Sequence, residues 1–240
     1  MTTPTNNNLA ATLQDLMRSG STTNPALNKL LDDYRKYHVV VAVVGLLFVI
    51  GFIVLTLVFW RRFRRAPKVD GRRRNAERRS YFLFSMLSVV IGLLLTMVVA
   101  VNASTARNPR PGFVGTFAMI PKAQAGTQTE ELHRAFADWL QSSSTAVPAV
   151  VQHKIDSRLA WQRPKAIISG VLLAFFLVLS ARIWRTLLAK SRREPTRKRQ
   201  GAALRVAGVA SVGSCLLLIL MVLGNSAASV APLSMTLVFG

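Results

Sequence analysis

Residues 61–79 read RRFRRAPKVDGRRRNAERR, ten lysines and arginines against two acids. An apolar run, 38–60, leads into this stretch, and a second, 81–101, leaves it. A helix of about 20 apolar residues crosses the hydrocarbon core of a bilayer. Two such runs around a short, strongly basic segment predict two membrane spans joined by a loop at 61–80. Short basic loops stay on the cytoplasmic side.

The pattern recurs further along the chain. Runs 166–184 and 206–224 flank a second basic loop, 185–205. Residues 61–79 carry a charge of +8, and residues 182–205, with nine bases and Glu194, carry +8 again. Sixteen of the 21 net charges therefore sit beside spans on one side. A net charge of +21 over 240 residues would otherwise suggest a nucleic-acid partner. Its placement points instead to membrane orientation, and no nucleic-acid-binding motif or interleaved aromatics accompany it. The predicted fold class is all-α: a polytopic four-helix membrane bundle with a small helical extracytoplasmic region.

Four spans with both basic loops inside place both termini outside. Residues 1–37 are then an extracytoplasmic, partly helical region, 102–165 an extracytoplasmic loop, and 225–240 an apolar extracytoplasmic tail. The start lacks a basic segment followed by an early apolar run, so no cleavable signal peptide is expected. Arg outnumbers Lys 23 to 8, which with abundant Ala and Val suggests a GC-rich bacterial host and hence the inner membrane. Trp60, Tyr81 and Phe82 stand at span ends, where aromatic belts form.

Outside the spans, Asn24 and Pro25 mark a helix start. Leu27, Leu30, Leu31 and Tyr34 follow at helical spacing and lead without a breaker into the first span. The first half of 102–165, with three glycines and three prolines up to Gly126, reads as irregular chain. Thr127 and Glu130 form a capping box. Leu132, Phe136, Trp139 and Leu140 then make one stripe, and Val151, Ile155 and Leu159, with Trp161 nearby, make a second. Two short amphipathic helices cannot bury such stripes alone. They are expected to close a small cap with the N-terminal helix, to lie on the membrane, or to meet a partner. These eight residues are the candidate extracytoplasmic interaction surface.

No Asp, Glu, Lys, Arg or His falls in the middle of a span, which argues against a proton relay or a charged-substrate pathway. What recurs is small residues four apart: Ser88, Gly92 and Thr96; Ala166, Gly170 and Ala174; Ala207, Ser211 and Cys215. Small side chains let helix backbones approach closely in lipid, so these nine are helix-packing candidates. The lone Cys215 reads as a small apolar packing residue. Arg61, Arg62, Arg64, Arg65, Arg72, Arg73, Arg74, Arg197, Lys198 and Arg199 would meet anionic inner-leaflet lipids or an acidic cytosolic partner.

Catalytic signatures are lacking: no nucleophile elbow, no Walker motif, no dinucleotide fingerprint and no His-Glu-x-x-His. Glu130 with His133, and His153 with Asp156, are single i, i+3 pairs, too few for a di-iron site. No catalytic residue, metal site or cofactor is assigned. The sequence favours an accessory or scaffold subunit of a larger membrane assembly, with other membrane proteins or a second copy as partners. A channel or transporter component is the first alternative, with a hydroxyl seam of Ser85, Ser88, Thr96, Ser169, Ser211 and Ser214. A membrane enzyme or metal-dependent sensor using Glu130, His133, His153 and Asp156 is the second.

Overall fold

Asn24 caps a helix that starts in polar sequence and does not stop until the arginines at its far end. In the computed structural model of the chain this is α2, Pro25–Arg65. The structure describes residues 8–20, 22–65, 72–193 and 198–240, with the side chains of 9–20, 22–65, 78–186 and 206–240 among them. Every regular element among them is helical. Helix α1 is Asn8–Arg18, α3 Arg72–Arg107, α4 Pro109–Gly115, α5 Gln128–Ser142, α6 Ala149–Arg193, α7 Lys198–Val230 and α8 Pro232–Phe239. A short 3₁₀ helix, Thr116–Met119, follows α4. Helices α2, α3, α6 and α7 each contain a stretch long and apolar enough to cross a membrane. The chain is a multi-pass integral membrane protein.

The chain divides into two units. A polar unit gathers residues 1–42, 101–165 and 224–240, and a membrane unit gathers 43–100 and 166–223. In the membrane unit, Val49, Leu95, Leu173, Cys215, Leu218, Ile219 and Leu223 form the buried core. Leu47, Met97 and Val209 are among many large apolar side chains left exposed, as lipid rather than water requires. Helices α2 and α3 come close at two glycines. A Cβ on Gly45 would lie 2.8 Å from a Val99 methyl, and one on Gly92 would lie 3.5 Å from Phe52 Cβ.

The polar unit has its own core. Leu9 and Leu13 of α1, Leu27, Leu30, Leu31 and Tyr34 of α2, Phe113 of α4, the α5 stripe, Val151 and Ile155 of α6, and Leu233 and Leu237 of α8 form one cluster. Both amphipathic stripes are thus spent on one another and on the chain's two terminal regions.

Three segments depart from the expected boundaries. The stretch expected to be irregular contains α4, because Pro109 and Pro111 occupy the first turn, where a missing N–H costs no helical bond. Gly112 fits there because a Cβ would come within 2.8 Å of Thr105 Cγ2 and 3.0 Å of the Tyr34 hydroxyl. Helix α7 runs past residue 224 to Val230 and ends where Pro232 drives Ala231 out of helical geometry (φ −122°, ψ 63°). The apolar tail then folds back as α8. Helix α6 continues through Pro164, although this proline has no N–H to offer the Ala160 carbonyl.

Candidate functional site

In the polar unit, isolated polar side chains act as joints between distant segments. Asn24 is buried. Its Oδ1 accepts the Leu27 N–H at 3.0 Å, capping α2, while its Nδ2 donates to the Leu140 carbonyl at 2.8 Å, in the last turn of α5. One amide side chain thereby satisfies the orphan groups of two helix ends.

Helix α8 is held toward both ends by side-chain hydrogen bonds from α2 and α6. Asp33 Oδ2 accepts from the Ser234 N–H at 2.7 Å and the Ser234 hydroxyl at 2.8 Å, in the first turn. The Arg158 guanidinium donates to the carbonyls of Met235 and Phe239, in the last turn. An anion at the amino end and a cation at the carboxyl end both match the helix dipole. The neighbouring Asp32 pairs outward with Lys36 at 2.8 Å. At the end of the polar unit's share of α2, His38 Nδ1 donates to Asn102 Oδ1 at 2.6 Å, and the His38 ring stands edge-on to Tyr34.

Burial pushes the Asp33 carboxyl above its ordinary range, against the downward pull of the Ser234 hydrogen bonds. The folded state therefore binds this proton more tightly than the unfolded chain does. The associated stability is fully present below the usual carboxylate pKa of about 3.9 and is lost as pH rises through the higher folded value. Asp33→Asn, which keeps an acceptor and drops the charge, is expected to stabilise the polar unit at pH 7. That gain should shrink as pH falls toward about 4. Denaturant midpoints of both proteins across this range check it, and a gain that widens on acidification contradicts it.

The Thr127 cap is present. Its hydroxyl accepts the Glu130 N–H at 3.3 Å, and Glu130 Oε2 accepts the N–H of Gly126 at 2.7 Å rather than that of Thr127. Gly126 has φ +77°, which turns its N–H toward the carboxylate. Helix α5 ends at left-handed Ser143.

Of the eight interaction candidates, Leu132, Phe136, Trp139, Leu140, Val151 and Ile155 are buried in the polar unit's core, and Leu159 packs against it. They are not a free surface. Trp161, 70% exposed, is the one that faces outward. The four sensor candidates do not converge. Glu130 pairs with Arg134, His133 is buried, His153 is exposed, and Asp156 accepts from Gln152. Among the described residues no three His, Cys, Asp or Glu side chains come together.

The small-residue stripes hold in part. Ser88, Ser211 and Cys215 are buried, Gly92 packs on Phe52, and Ala166 and Gly170 are half-buried. Thr96, Ala174 and Ala207 are exposed. The reason is geometric. At about 3.6 residues per turn, each step of four overshoots a full turn by about 40°, so a three-member stripe slides off the face it starts on. The positions that face inward instead are Ser85, Ser169, Leu173 and Gly208. The hydroxyls of Thr96, Ser169, Ser211 and Ser214 bond to carbonyls of their own helices, and Ser85 reaches Thr56 O of α2 at 3.5 Å.

Among the basic candidates, Arg61, Arg62, Arg64 and Arg65 are exposed. The side chains of Arg72, Arg73, Arg74, Arg197, Lys198 and Arg199 lie outside the described residues. Near this basic end, aromatic rings link the helices of the membrane unit. Phe59 of α2 meets Phe84 of α3 (centroids 5.4 Å apart), and Phe84 meets Trp184 of α6 edge-on (4.4 Å). Gly208 of α7 lies against the same indole, where a Cβ would be 3.1 Å from the ring. Arg78 sits 4.8 Å over the Phe63 ring.

Beside this aromatic chain the four helices leave a cavity of about 310 Å³. Its wall is largely apolar, with Arg62 and Arg185 as its charged members and Ser80, Tyr81, Ser88 and Ser180 as its hydroxyl-bearing ones. Trp184, the last residue of the third predicted span, also lines it. Sequence reasoning missed this cavity, as it missed Asp33 and Arg158. The available signals were aromatics paired across three span ends and a Pro-x-Ser start in the tail. No family model, curated protein or solved structure matches the chain.

Proposed function

We propose that the protein is a non-catalytic accessory or scaffold subunit of a larger membrane assembly. In this reading it sits in a bacterial inner membrane, with its basic loops in the cytoplasm, where they meet anionic lipid, and the polar unit outside. The observation that carries the reading is the outward position of small span residues. Thr96, Ala174 and Ala207 are exposed, and nothing lies within 4 Å of where a Cβ would stand on Gly51 or Gly213. Flat, small positions on a lipid-facing surface admit a neighbouring helix at close range. The hydroxyls bonded within their own helices support packing over a hydrophilic pathway.

The test places single cysteines at Ala174 and Ala207, with Cys215→Ser, labels them with a thiol-reactive benzophenone, which on irradiation inserts into C–H bonds of any neighbour, and irradiates native membranes. Adducts with other membrane proteins, or with a second copy of the chain, are expected at these positions and not at Leu47. Crosslinking that is absent at both positions, or equal at all three, contradicts the reading.

A further inference from the structure

We infer that the cavity beside Trp184 is a binding site for one membrane phospholipid with an anionic headgroup. Three features of the membrane unit converge on this ligand. The wall is almost wholly apolar over about 310 Å³, at the lower end of the range of about 300–1,000 Å³ that ligand pockets occupy. That suits a hydrocarbon chain. The charged side chains of the lining, Arg62 from α2 and Arg185 from α6, are both bases and both exposed, and among the described residues no acid lines the cavity to neutralise them. Neither forms an ion pair among the described residues. Ser80 and Ser180 add hydroxyls from α3 and α6.

The occupant must therefore be long, apolar and negatively charged at one end. A guanidinium pair fits phosphate better than an ammonium pair would, because its planar donors can bind two oxygens at once. Basic pockets between membrane helices are a known setting for anionic headgroups. A free anion would use the arginines but leave the apolar wall unfilled. A zwitterionic lipid would fill the wall but bring its own cation to the arginines. A phospholipid with net negative charge uses both. The aromatic chain Phe59–Phe84–Trp184 fixes one side of the cavity, so the site is preformed. The lipid would occupy it whether or not the protein has a protein partner.

The full chain, purified in detergent, is mixed with equal amounts of dioleoyl phosphatidylglycerol and dioleoyl phosphatidylcholine, and retained lipid is counted by native mass spectrometry. One bound phosphatidylglycerol is expected, favoured over phosphatidylcholine by about tenfold or more, from two bases near one phosphate. In R62Q/R185Q the preference should fall to about onefold. Ser180→Leu, which narrows the cavity without touching charge, should lower retention of both lipids. Excess inorganic phosphate should not displace the lipid. Equal retention of both lipids by the wild type overturns the inference, as does a preference that survives R62Q/R185Q. Displacement by inorganic phosphate would show an anion site that does not need the acyl chain, which also overturns it.

Discussion

Phe136→Ala is expected to unfold the polar unit selectively, at a cost of about 3–5 kcal/mol. Phe136 is fully buried, with its ring centroid 6.3 Å from that of Trp139, and it sits in a core drawn from six helices. Truncation removes the transfer free energy of the ring and leaves a cavity that the surrounding helices cannot close without moving. A unit of this size has only a few kcal/mol of net stability to lose. The core of the membrane unit contains none of these residues, so the spans should remain inserted. Hydrogen exchange with the protein in lipid nanodiscs would read both effects. Amides of α1, α5 and α8 should lose protection together, while those of 43–60 and 81–100 keep theirs. Loss confined to α5 alone would show that the stripes do not share one core.

Asn24→Ala should be the most damaging single polar change, at about 1.5–5 kcal/mol. It removes an N-cap, worth about 0.5–2 kcal/mol, and strands the Leu140 carbonyl, which costs about 1–3 kcal/mol more if buried. Asn24→Asp separates the two roles. A carboxylate still caps α2, but it has no donor for Leu140 O and sets a negative charge against the carbonyl end of α5. Both variants should therefore be destabilised in denaturant unfolding of the polar unit, with loss of the Trp139 fluorescence change as a common readout. If Asn24→Asp matches the wild type, the bond across to α5 contributes nothing. If Asn24→Ala does so, neither bond does.

The spans were legible because membrane insertion is written locally. Twenty apolar residues and a cluster of arginines need no knowledge of the rest of the chain. The stripe from Leu132 to Leu140 was legible for the same reason, since its period is a property of one helix. What covers that stripe was not legible. Asp33 and Ser234 are 201 residues apart, and Asn24 and Leu140 are 116 apart. No period or spacing encodes such a pairing. The small-residue stripes show a third case. Ser88, Ser211 and Cys215 do face inward, but a fixed step of four drifts around the helix, so one end member of each stripe, Thr96, Ala174 or Ala207, does not share that face. Trp184 shows a fourth. In the sequence it only closes an apolar run, and the neighbouring Phe84 and Gly208 turn it into a wall.

The central claim is that three separated stretches, 1–42, 101–165 and 224–240, close one polar unit served by four membrane spans. Thiol accessibility tests it most directly. With Cys215→Ser as background, single cysteines at Asn28, Gln141 and Phe239, all exposed, and at Arg64 are probed with a membrane-impermeant maleimide. Intact cells and inverted vesicles are compared. The expected result is that Asn28, Gln141 and Phe239 label from the same side, the outside of intact cells, and that Arg64 labels from the opposite side. Labelling of any one of the first three from the side that labels Arg64 would contradict the shared core and the four-span count together.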